Sequence, residues 1–171
     1  MRSAPRHGWM RWLLLSAAVA ALDLATKAWV SGSLQLGEAR DILPFFSLVL
    51  MHNTGAAFSF LAGAGGWQRW FFTIVTIVIS VAIVVMLRRS DTNRMLAAAL
   101  ALVLGGALGN LYDRVTLGYV VDFVLLHAAG YSWPAFNVAD SAICAGVALL
   151  IWDSLRGGGN AAPQPARQED P

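Results

Sequence analysis

The chain has 171 residues, 57% of them hydrophobic and only 13% charged, with a mean hydropathy of +0.60. A water-soluble domain of this length carries about a quarter charged residues, so the composition excludes an ordinary soluble globular protein. A formal net charge of +2 without a long basic run argues against a nucleic-acid partner, and the single cysteine, Cys144, excludes an internal disulfide.

A bilayer core about 30 Å thick needs roughly 20 mostly apolar helical residues to cross it. Four stretches meet or approach that length: 12–30, 70–87, 95–111 and 136–155. The first follows Arg2, Arg6 and Arg11 and contains Ala18-Val19-Ala20, so a cleavable signal peptide competes with a retained anchor. Leu22, Leu24, Ala28, Trp29 and Val30 carry the apolar run past the usual cleavage point, which favours the anchor. Within this stretch Asp23 and Lys27 stand at i and i+4, sharing one helix face, where they can pair.

The loop that follows is unusually apolar. Its run 45–51 is β-prone, Asn53-Thr54-Gly55 signals a turn, and 56–61 is apolar again. This pattern predicts a small sheet or amphipathic piece lying on the bilayer surface. The second stretch, 70–87, has no charge, and the third is rich in Ala, Leu and Gly, with Gly105, Gly106 and Gly109 allowing close helix approach. Asp122 follows the third stretch and Asp140 opens the fourth. The tail 157–171, with three consecutive glycines and three prolines, predicts disorder and leaves one integral-membrane domain over 1–156.

The positive-inside rule gives the orientation. With the N-terminus in the cytoplasm, Arg2, Arg6, Arg11, Arg88, Arg89, Arg94, Arg156 and Arg167 fall inside and Arg40, Arg69 and Arg114 outside, eight against three. Both termini are then cytoplasmic, and loops 31–69 and 112–135 face outward.

Ionisable groups within a span are costly unless they are paired or line a cavity. Asp23 and Lys27 satisfy this by neutralising each other. A lysine general base with Ser31 or Ser33 as nucleophile is the catalytic alternative, but a carboxylate one turn away favours the charged ammonium. Asp122 and Asp140 both fall at the outer membrane boundary, where two carboxylates sharing one proton can activate water and donate to a carbonyl. Plainer readings compete: a solvated loop acid for Asp122, and for Asp140 the first turn of a helix capped by Asn137. Asn53, Asn110 and Asn137 suit an extended peptide backbone because amides both donate and accept. Arg114 suits an anion or simply snorkels. There is no His-Glu-x-x-His or Gly-x-Ser-x-Gly motif, His7, His52 and His127 are scattered, and Cys144 reads as a small core residue. A transporter or assembly factor would explain the spans but not the acids and asparagines gathered at one membrane face.

Five blocks then stand in a recognisable order: Asp23-Leu-Ala-Thr-Lys27, Asn53-Thr-Gly-Ala-Ala-Phe58, Gly109-Asn-Leu-Tyr-Asp-Arg114, Val120-Val-Asp-Phe123 and Phe136-Asn-Val-Ala-Asp-Ser141. Through them the chain resembles the lipoprotein signal peptidase (signal peptidase II) family over roughly residues 10–155. The resemblance implies an all-α polytopic fold of four transmembrane helices with a small extramembrane β-sheet on the outer face. It also implies an aspartic endopeptidase of the bacterial inner membrane, with Asp122 and Asp140 catalytic. Asn53, Asn110, Arg114 and Asn137 would contact substrate, and Asp23, Lys27 and Asp113 would give structural support. The implied substrate is a prolipoprotein with a diacylglyceryl cysteine, cut just before that cysteine. No metal or organic cofactor is expected. The expected surroundings are membrane lipid and no nucleic acid, with the enzyme monomeric and Phe58, Phe60 and Leu61 covering the substrate.

Overall fold

The computed structural model describes residues 8–55, 66–89 and 93–157. The apolar run from 56, with Phe58, Phe60 and Leu61, lies outside the described residues, as does the tail from 158. Four helices are long and apolar enough to cross a membrane: α1 (Met10–Ser33), α2 (Trp67–Arg89), α3 (Arg94–Thr116) and α4 (Val138–Gly157). Two hairpins join into one antiparallel sheet: β1 (Ala39–Leu43), β2 (Phe46–Asn53), β3 (Val120–Ala128) and β4 (Tyr131–Ser132), in that spatial order. The chain is thus a multi-pass membrane protein with the small sheet at one end of the bundle.

The helix α3 is the central element and packs against the other three. Its small residues make this possible. A Cβ on Gly106 would collide with the Ala139 carbonyl of α4, and one on Gly109 would stand 2.5 Å from Asp23 Oδ2 on α1. Larger residues there would push both neighbours away. The helix begins at Asn93, whose side chain accepts from the Leu96 N–H at 3.0 Å and donates to the Asp153 carboxylate of α4. At the same end of the bundle Arg88 stacks over Trp9 and Arg156 over Trp152, the arrangement that amphipathic aromatic and basic side chains adopt at a membrane interface.

The helices outrun their apolar stretches at the sheet end. The third apolar stretch stops at 111, yet α3 continues through Thr116, so Asn110, Asp113 and Arg114 ride on its last two turns instead of capping it. This is sustainable because Asn110 and Asp113 find polar partners there, described below, and Arg114 donates to the Asn110 carbonyl one turn back at 3.3 Å. Beneath the sheet, Val30 and Leu34 of the α1 end pack with Leu50, Val121 and Phe123. The small sheet expected from 45–51 is present, with β1 beside it and its other half supplied by 120–132. Four consecutive residues of β3, Val120 to Phe123, are buried, so this strand is covered on both faces.

Candidate active site

Two features of β3 bring the aspartates to one place. Its register sets Asp122 opposite Met51 of β2. Its other edge is stitched to the entrance of α4, with the Phe123 and Val124 N–H groups donating to the Phe136 carbonyl at 3.0 and 2.8 Å and the Phe136 N–H returning to Val124 at 3.0 Å. Asn137 and Asp140 follow directly. Their reciprocal bonds open α4: the Asp140 N–H donates to Asn137 Oδ1 at 2.9 Å, and the Asn137 N–H donates to Asp140 Oδ2 at 3.2 Å. This is a capping box in which both partners satisfy a backbone donor.

Asp122 is not the solvated loop acid of the plainer reading. It is 3% exposed, its Oδ1 accepts from Asn137 Nδ2 at 2.8 Å and its Oδ2 from Asn53 Nδ2 at 3.0 Å. Burial, reinforced by the charge of Asp140, pushes its carboxyl up to about 7. Asn53 turns its own oxygen to the Gly55 N–H, closing the predicted turn. Asp140 Oδ1 accepts from Asn110 Nδ2 at 2.8 Å.

Asp122, Asp140, Asn53, Asn110 and Arg114 line a single cavity of about 630 Å³. Arg114 stacks over Phe72 of α2, and Arg69 donates to the Arg114 and Val115 carbonyls at 2.7 and 2.8 Å, capping the end of α3. Asn137, by contrast, is wholly enclosed, its amide nitrogen directed at Asp122, Asn110 and the Val121 carbonyl. The remaining lining is largely apolar: Trp133, Pro134, Phe136, Ile143 and Cys144. Trp133 and Pro134 lie in segment 124–135, which holds none of the five blocks, and no motif marks them as lining residues. Ile143 and Cys144 stand at i+3 and i+4 from Asp140, and that spacing is the signal that could have placed them on its face, one turn along the helix. Cys144, expected in the core, is instead exposed and lines this cavity, because the bundle packs through α3 and leaves this face of α4 uncovered.

Asp23, Lys27 and Asp113 lie below, buried at 0, 3 and 2% exposure. The Lys27 ammonium meets Asp23 Oδ2 at 2.7 Å, Asp113 Oδ2 at 2.9 Å and Asn110 Oδ1 at 2.9 Å. None of these bonds reaches a serine, and Ser33 bonds the Trp29 carbonyl of its own helix, so Lys27 is held by two carboxylates and an amide and not by Ser31 or Ser33. Asp23 Oδ1 accepts the Ala139 N–H at 2.8 Å and Asp113 Oδ2 the Val121 N–H at 3.1 Å. The pairing read from i and i+4 is therefore one arm of a cluster tying α1, α3, α4 and β3 together. Among the described residues no group of three His, Cys, Asp or Glu side chains could hold a metal ion.

A four-helix membrane bundle with two acids and a cluster of amides gathered on one cavity defines a multi-pass membrane protein with a polar cavity at the sheet end of its bundle. The model of one family, signal peptidase II, matches residues 15–156. A lipoprotein signal peptidase of Ralstonia nicotianae is 52% identical over 155 residues, covering 91% of this chain and 90% of that protein, and one of Polynucleobacter necessarius is 50% identical over 147 residues, covering 86% and 90%. A solved bacterial membrane enzyme superposes with a TM-score of 0.81 at 33% identity, covering 90% of this chain and 93% of its own. The chain belongs to the signal peptidase II family and is a membrane peptidase.

Proposed function

We propose that this protein removes signal peptides from diacylglyceryl-modified prolipoproteins, cutting just before the lipidated cysteine by water activated between Asp122 and Asp140. The observation that carries the reading is the pair of carboxylates on one membrane-boundary cavity, each held by amide donors. In this reading Asp140, at the N-terminus of α4 and accepting through both oxygens, enters as the carboxylate. It takes a proton from water as the hydroxide attacks the scissile carbonyl. Asp122, more deeply buried, carries the shared proton and gives it to the carbonyl oxygen, forming a tetrahedral diol. Asp140 then protonates the leaving nitrogen as the C–N bond breaks, and Asp122 recovers its proton from the collapsing diol. Arg114 and Asn53, both lining the cavity, orient the peptide, while the signal helix and the lipid hold it in the bilayer and supply proximity.

The test is cleavage of a lipidated precursor peptide by the purified protein in detergent, without metal or an energy source. The pH dependence follows from Asp122. A carboxyl raised to about 7 is protonated below that value and loses its proton above it, so kcat/KM, which reports the free enzyme, should fall as pH rises through about 7. Activity that climbs steadily to pH 9 would remove Asp122 from the proton-donating role.

The orientation that serves this reading has both termini in the cytoplasm and the sheet outside, in the bacterial inner membrane. In a cysteine-free background, single cysteines at Gly32 or Gly118 should react with a membrane-impermeant thiol reagent from outside, and one at Ser90 should not. The reverse pattern would put the cavity on the wrong side for translocated signal peptides.

A further inference from the structure

We propose that Lys27 is a positioning residue for the reaction: it fixes which end of the Asn110 amide faces Asp140, and so holds that carboxylate for turnover. This inference rests on the acid-pair reading above. It begins from a property of the ammonium group, which has three donors and no acceptor. All three donors of Lys27 are spent, on Asp23, Asp113 and Asn110. The end of Asn110 that meets Lys27 must therefore be its carbonyl, and its NH2 is left facing Asp140 Oδ1 at 2.8 Å.

A second amide, Asn137, is held in the same sense. The Asn110 oxygen also accepts from Asn137 Nδ2 at 3.2 Å, and that same nitrogen meets the Val121 carbonyl at 3.2 Å and Asp122 Oδ1 at 2.8 Å. The Asn137 oxygen accepts the Asp140 N–H at 2.9 Å. Reversing either amide would set a carbonyl against a carboxylate and an NH2 against a donor, the Lys27 ammonium for Asn110 and the Asp140 N–H for Asn137. One buried cation, 83 residues distant in sequence from Asn110, thus leaves Asn110 a donor toward Asp140, in register with Asn137, which the Val121 carbonyl and the Asp140 N–H hold as a donor toward Asp122. Neither aspartate is asked to donate to a protein group, so each presents its chemistry to the cavity.

Asn110 is occupied by this arrangement. Its oxygen has two protein donors and its nitrogen one carboxylate, and it is 6% exposed. Its contribution is therefore made mainly to the orientation of Asp140, and a substitution there should be felt in turnover more than in substrate affinity. Lys27 lies below the cavity, does not line it, and should show the same signature. If Lys27 served only to hold the helices together, its loss would lower stability and yield while each folded molecule kept its turnover.

The experiment measures kcat, KM and thermal stability for Lys27→Met, Asn110→Ala and the double variant, with Asp140→Asn alongside. Each single change should lower kcat by about tenfold or more, the scale of losing a hydrogen bond to a charged group, with KM within about twofold. The double variant should be no slower than the slower single variant, because both act through one contact. Multiplying losses would overturn the route through Asn110. Unchanged kcat in folded Lys27→Met would reduce Lys27 to scaffolding and overturn the proposal. Should Lys27→Met fail to accumulate, Lys27→Gln releases the same constraint with a neutral side chain. Independently of any lysine variant, Asn110→Ala that raises KM and spares kcat would overturn the assignment by itself. An active Asp140→Asn enzyme would instead bring down the acid-pair reading, whereas an inactive one beside unaltered Lys27→Met kcat brings down only this inference.

Discussion

Replacing either Asp122 or Asp140 by asparagine is expected to abolish cleavage, by about a thousandfold or more, while the protein still inserts and folds. The amide has the shape of the carboxyl but cannot cycle a proton. Since the two groups act as one unit in the proposed reaction, losing either should cost nearly as much as losing both. The structural penalty is smaller. Each carboxylate oxygen accepts from an amide or backbone N–H, so an asparagine sets one N–H against a donor, a local loss of about 1–3 kcal/mol. Thermal melting in detergent separates this loss from the chemical one. A folded single variant with more than about a tenth of wild-type activity, a barrier change of only about 1.4 kcal/mol, would break the assignment.

The second large effect concerns the substrate. One precursor peptide presented in the same micelles with and without diacylglyceryl on its cysteine should be cleaved at very different kcat/KM, with kcat as well as KM affected. Each buried methylene of the lipid contributes about 0.8 kcal/mol toward holding the cysteine at the membrane boundary. The lining of the cavity offers the lipid apolar surface in Trp133, Phe136, Ile143 and Cys144, alongside the polar aspartates, Asn53 and Arg114. Binding energy from a remote part of a substrate is used to orient the reacting bond, so its removal lowers turnover too. Equal kcat/KM for the two peptides would leave a general membrane peptidase without lipid selectivity.

Much of the fold was legible because its signals are local. Hydropathy over about 20 residues locates a span wherever it packs, and all four stretches became helices. The β-prone run at 45–51 became most of β2, Phe46–Asn53, since strand propensity and a turn signal likewise need no distant partner. An intramembrane charge is costly enough to announce itself, which is how Asp23 and Lys27 stood out before any geometry was known.

The residue types of the candidate site were therefore set by the sequence alone: two acids, three asparagines, one arginine and a buried ion pair. Their mutual arrangement required the tertiary structure, because each decisive contact joins segments far apart in the chain. Asp122 reads as a loop acid until β2 and the entrance of α4 close over its strand and bury it. Lys27 reads as the partner of Asp23 until α3 delivers Asp113 and Asn110 to the same ammonium. Cys144 reads as core until the packing direction of α4 is known, since a span buried in lipid has no polar face to mark which side meets protein. Spacing along one helix fixes a shared face, and only the packing of that face against other elements decides which donors meet which acceptors.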